Sequence, residues 1–133
     1  GDTVEEIRWF KVADQRSLEP AEHGLWAPPC RELLLTDDVR SRARTLAERH
    51  PIIGAIHGMG LYLGVELVRD RETLDPATAE CYAICERLRE LGVIVQPTGE
   101  RANVLKIKPP MCLTRESADF VVDQLERVLR EGW

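Results

Sequence analysis

Lysine is scarce in this sequence: three in 133 residues, at Lys11, Lys106 and Lys108. Positive charge is not in excess either. Eighteen basic side chains face 23 acidic ones, for a net charge of −5. That balance argues against a nucleic-acid or polyanion partner. No apolar run approaches the roughly 20 residues that cross a bilayer, so no membrane partner is expected. The acidic start, Gly1 to Glu6, lacks the apolar segment of a signal peptide. Gly1 in place of Met fits a processed or excised chain. Four cysteines, Cys30, Cys81, Cys85 and Cys112, are few for a chain with 44% hydrophobic residues to fill its core. They are read as reduced, and the compartment as cytoplasmic. The three histidines, His23, His50 and His57, do not fall at metal-ligand spacing, so no metal is expected. Internal repeats, low-complexity tracts and a second hydrophobic unit are all missing. One globular domain is the expectation.

What is present is a series of short, well-punctuated elements. Residues 1–35 read as an irregular, proline-rich arm that holds Trp9 and Trp26. Thr36 is placed to cap a helix with Asp37 and Asp38 in its first turn, Val39, Ala43 and Leu46 on one face, and Pro51 as its stop. The arginines Arg40, Arg42, Arg44 and Arg49 form that helix's solvated face. Leu61, Leu63, Val65 and Leu67 alternate with Tyr62, Gly64 and Glu66, a half-buried strand reached through a corner at Gly58 and Gly60. Asp75-Pro76 is expected to open a second helix with an apolar stripe of Cys81, Ile84, Cys85, Leu88 and Leu91, closed by Gly92. Val93-Ile94-Val95 reads as a short strand. Val104 to Lys108 reads as another, stopped by Pro109 and Pro110. Thr114 caps a last helix whose stripe includes Ala118, Val122, Leu125 and Leu129. The order α-β-β-α-β-β-α gives an α+β fold: a two-layer sandwich with a small, largely antiparallel sheet and helices on one face.

No catalytic constellation is visible. Ser17, Ser41 and Ser117 lack an elbow motif and a placed histidine. The carboxylates lie mostly on polar helix faces, so no acid–base pair stands out. His57 beside Gly58 is by default a packed or solvent-facing ring. Glu66 shares a strand face with Tyr62 and is either an exposed acid or an inter-domain contact. Lys106 is the one side chain set apart. Side chains alternate on a strand, so Lys106 and Lys108 point away from Leu105 and Ile107. The default is a solvated charge. A Schiff-base lysine and an anion clamp are the alternatives, and spacing does not choose among them.

The segments His50–Gly54, His57–Val68, Pro76–Glu80, Leu91–Val95 and Asn103–Thr114 resemble, in order, the C-terminal small domain of class III pyridoxal-phosphate-dependent aminotransferases. P-A-T-A-E and N-V-L-K-I-K-P-P-M-C are most similar to the branch with the ethanolamine-phosphate and phosphohydroxylysine phospho-lyases. The resemblance runs from about Thr36 to the C-terminus and implies residues 36–133 as that domain. It implies a substrate-binding role for Lys106, at a position where many members carry a carboxylate-binding arginine. Lysine is a point charge without arginine's two-pronged contact, yet it binds phosphate well. The resemblance therefore implies an amine or amino-acid substrate, phosphorylated or not, and a pyridoxal phosphate cofactor in the full-length enzyme. The cofactor lysine belongs to a large partner domain, and full-length members are homodimers. No catalytic, cofactor-binding or metal-binding residue is expected in this chain, which on its own should bind no cofactor and turn over nothing. The alternative is a non-catalytic α+β ligand-binding or interaction module that kept the fold.

Overall fold

The computed structural model describes residues 27–59, 62–110 and 112–133, with backbone alone for 27–36 and Met59. Trp9, Trp26, Lys11, Ser17 and His23 lie outside the described residues or side chains. The first helix, α1, spans Ala27–Arg49. Thr36 therefore lies inside the helix and is not its cap. Pro28 and Pro29 belong to the stretch expected to be irregular, but they fall in the helix's first turn, where backbone N–H groups have no intrahelical acceptor and proline is tolerated. Val39, Ala43 and Leu46 are buried along one face, as their spacing predicts.

Strands β1 (Ile53–Met59) and β2 (Tyr62–Asp70) form an antiparallel hairpin. Gly58 adopts φ +92°, and a Cβ there would overlap the Tyr62 carbonyl, so the corner needs glycine. Asp75 and Pro76 do not open a helix. They form a two-residue strand, β3, paired with Asp70 and Val68 of β2. The helix α2 begins later and spans Thr78–Glu90, with Ala77 at an N-cap that makes no side-chain bond. The Ala77 N–H is taken by the Leu67 carbonyl at 3.1 Å, which ties the helix start to β2. Gly92, at φ +93°, ends the helix as expected.

The strand expected at Val93–Val95 forms three residues later, as β4 (Gln96–Thr98). Residues 93–95 lead into it, with Val93 buried and Ile94 exposed. Strand β5 (Val104–Ile107) follows. The last helix, α3 (Arg115–Glu131), is capped by Thr114, whose hydroxyl oxygen accepts from the Ser117 N–H at 3.1 Å.

The main sheet runs β1-β2-β5-β4, every pair antiparallel, with β3 attached to β2. Leu63, Val65, Leu67 and Leu105 occupy its buried face. Against them pack Cys81, Ile84 and Leu88 of α2 and Val122, Leu125 and Val128 of α3. The fold is the expected α+β sandwich. The arginines of α1 are less free than a solvated face implies. Arg42 bonds Asp119 of α3 at 2.6 Å and Asp38 at 3.5 Å, Arg49 meets Glu126 at 3.1 Å, and Arg115 meets Asp38 at 3.1 Å. Burial alone would lower the Arg42 pKa, but its hydrogen bonds to Asp119 and Asp38 outweigh that and raise it. These pairs align α1 and α3 side by side.

Candidate functional site

The helices cover one sheet face and leave the other open. Cross-strand partners project from the same face, which fixes what the open face carries. His57 pairs with Gly64, Gly64 with Lys106, and Lys106 with Gln96. These four residues form one row across β1, β2, β5 and β4. The next row is Ala55, Glu66, Val104 and Thr98. Alternation places both rows opposite the buried Leu63, Val65 and Leu105.

Lys106 is half-buried in this row, and no ion pair or side-chain hydrogen bond to it occurs among the described residues. The acid on the same face, Glu66, is engaged by His57, with Nε2 to Oε2 at 3.6 Å. Gly64 is buried. A Cβ there would stand 2.8 Å from the Val104 Cγ1 and 3.9 Å from the His57 Cβ. Its bare Cα lets the side chains on either side close over the strand. Tyr62, 50% exposed, extends the face toward the hairpin corner.

Lys108 does not share this row. The strand ends at Ile107, and the exposed Lys108 lines a separate open groove of about 660 Å³ at the end of β5, with Ile94, Val95, Pro109, Phe120 and Val121. Cys81 and Cys85 are buried free thiols on α2. The hydrogen bond to Cys85, and burial with it, push the Cys81 thiol up, so it stays neutral. No group of three metal-ligating side chains occurs among the described residues. No helix among them is long and apolar enough to span a membrane.

Among the described residues the open face carries one lysine, Lys106, with His57, Glu66 and Gln96 around it, and no nucleophile with a base at hand. Such a face offers an anion a cation to sit against. Sequence reasoning singled out Lys106 but missed Gly64 and Gln96 as its neighbours. Gly64 was visible in the alternation, but which strand lies beside it depends on long-range register.

The family model for class III aminotransferases matches residues 33–129. The chain belongs to the class III aminotransferases. The alanine–glyoxylate aminotransferase 2 homolog 2, mitochondrial, of Arabidopsis thaliana is 44% identical over 88 residues, 66% of this chain and 18% of that protein. A phospholyase from Arthrobacter, solved in complex with phosphoethanolamine, superposes with a TM-score of 0.74 at 30% identity, over 81% of this chain and 26% of that one. An amine transaminase from an uncultivated Pseudomonas species, solved in its PLP-bound internal aldimine form, gives 0.71 at 28% identity, over 80% and 24%. The class III chain therefore spans about a fifth of the curated relative's length and a quarter of each solved chain.

Membership implies pyridoxal phosphate in full-length enzymes of the family. The residues described here do not fit the cofactor's own site. Its reactive lysine must be enclosed and partly desolvated. Lys106 stands on an open sheet face, and Lys108 is exposed at the strand's end. The open face also offers no unengaged carboxylate to hold the pyridine nitrogen, since Glu66 faces His57.

Proposed function

We propose that residues 36–133 are the small domain of a class III aminotransferase-fold enzyme, a transaminase or an amino-phosphate lyase, and that they form one wall of its substrate pocket. Residues 1–35 are an arm or linker, with α1 running through the junction. The observation that carries the reading is Lys106: a half-buried cation on the open sheet face, with no acidic partner among the described residues. Lys106 holds the anionic group of an amine substrate. A single ammonium point charge suits a phosphate better than a planar carboxylate. The likeness to a phospholyase solved with phosphoethanolamine supports the phosphorylated class. A large domain supplies the cofactor lysine, the complete enzyme is a homodimer built largely through that domain, and its compartment is the cytoplasm.

The test is the specificity constant of the complete enzyme with Lys106→Ala. Loss of one charge-assisted contact lowers kcat/KM for a phosphorylated amine by about 10- to 100-fold. Equal values for wild type and variant, on phosphorylated and carboxylated substrates alike, would sink the clamp. The 133-residue chain alone forms no internal aldimine. A stable absorbance band with added pyridoxal phosphate would count against a cofactor site outside this chain.

A further inference from the structure

The row His57–Gly64–Lys106–Gln96 does more than place one lysine. Two strand spacings separate His57 from Lys106, about 10 Å between backbones, with only a glycine between them. Both side chains rise from the same face, and any residue other than glycine at position 64 would stand between them. Glu66 lies 3.6 Å from the His57 Nε2, and Nδ1 has no hydrogen-bond partner among the described residues. On the other flank, the exposed Gln96 puts an amide beside Lys106.

We infer that His57 is a second, specificity-determining donor for the anion that Lys106 binds, and that the anion sits over Gly64 as a tetrahedral phosphate monoester. The inference rests on the proposed role of Lys106 and adds a residue to it. The geometry favours phosphate because the two donors come from opposite sides of the gap. A tetrahedral group offers oxygens in both directions, whereas a planar carboxylate presents both oxygens to one side. Glu66 opposes the anion by charge but lies on the Nε2 side of the ring. The charged groups facing His57 are Glu66 on β2 and Lys106 on β5; from α1, Arg40 reaches the neighbouring Gly58 carbonyl at 3.2 Å.

The experiment is an NMR titration of the 133-residue chain with inorganic phosphate and, separately, with acetate. It follows the Gly64 amide and the His57 ring protons. The expected result is saturable phosphate shifts at both sites, with weaker acetate shifts. His57→Gln weakens phosphate binding by about fivefold, and Lys106→Gln by more. Lys108→Gln, outside the row, leaves binding unchanged. If Lys106→Gln weakens binding and His57→Gln does not, the His57 role falls while the lysine clamp stands. If neither variant changes binding, or Gly64 shows no saturable shift, both fall. Acetate binding as tightly as phosphate overturns the phosphate preference. Matching amide spectra away from the row confirm that each variant is folded.

Discussion

Arg71 offers the sharpest stability test of the fold. Its guanidinium reaches back from the β2–β3 turn to the end of α1. It donates to the carbonyls of Ala47, His50 (3.3 Å), Pro51 (3.1 Å) and Ile53 (2.9 Å). The last carbonyls of a helix have no intrahelical partner, and a cation there also meets the negative end of the dipole. Arg71→Ala removes these four bonds; the His50 carbonyl keeps the Ile53 N–H at 3.1 Å and the others are left to water. A bond from a charged donor is worth about 1.5–3 kcal/mol when shielded, but Arg71 is exposed and water replaces much of that. At about 0.5 kcal/mol for each carbonyl, the loss comes to about 2 kcal/mol. In urea, with a slope of about 2 kcal/mol/M, the midpoint falls by about 1 M at unchanged slope. Arg71→Lys recovers less than half, because an ammonium cannot fan across the spread of carbonyls. A midpoint for Arg71→Ala within about 0.2 M of wild type would show that the fan is a surface decoration.

Asn103 is buried, its Nδ2 donates to the Leu67 carbonyl at 2.8 Å and its own carbonyl accepts from the Leu67 N–H at 2.7 Å; Asn103→Ala should cost about 1–2 kcal/mol and lower the melting temperature by roughly 5 °C, and an unchanged melt would refute the bond's weight. Gly58 and Gly132 both have positive φ, at +92° and +99°, but a Cβ at Gly58 meets the Tyr62 carbonyl while one at Gly132 meets nothing within 4 Å. Gly58→Ala should therefore cost more than 2 kcal/mol and Gly132→Ala only about 1 kcal/mol, and equal losses in chemical denaturation would contradict this. Cys81 and Cys85 should resist a thiol reagent in the native chain and react once it is unfolded; mass-spectrometric mapping of rapid native labelling at either would show that α2 opens locally.

Local signals carried most of the fold. Thr114 and Gly92 were legible because a cap and a helix stop are decided by residues a few positions away. The alternation through β2 named its buried side, and the helical stripes named theirs. The errors arose where distant partners decide. Asp75-Pro76 has the chemistry of a helix start, yet pairing with Asp70 and Val68 draws it into the sheet. Val93-Ile94-Val95 has the stronger strand propensity, but the partner strand meets the chain at Gln96–Thr98. Pro28 and Pro29 read as part of an irregular arm because the same residue type suits a loop and a first helical turn. The site divides likewise: Lys106 stood out by type and alternation, while its row with His57, Gly64 and Gln96 exists only once register is fixed.

The strand order has a kinetic consequence. β1 with β2 and β4 with β5 are neighbours in sequence as well as in the sheet, so each can close as a local hairpin at little loop entropy. The two halves of the sheet meet where Leu63 to Glu66 lie against Ile107 to Val104, across all of α2 and some forty residues of chain. That single distant seam sets the contact order of the sheet, and its closing should limit the folding rate. Truncating Leu105 should then slow refolding, whereas truncating Ile53 at the outer edge should mainly hasten unfolding. The seam that completes the open face is thus also the last part of the sheet to assemble.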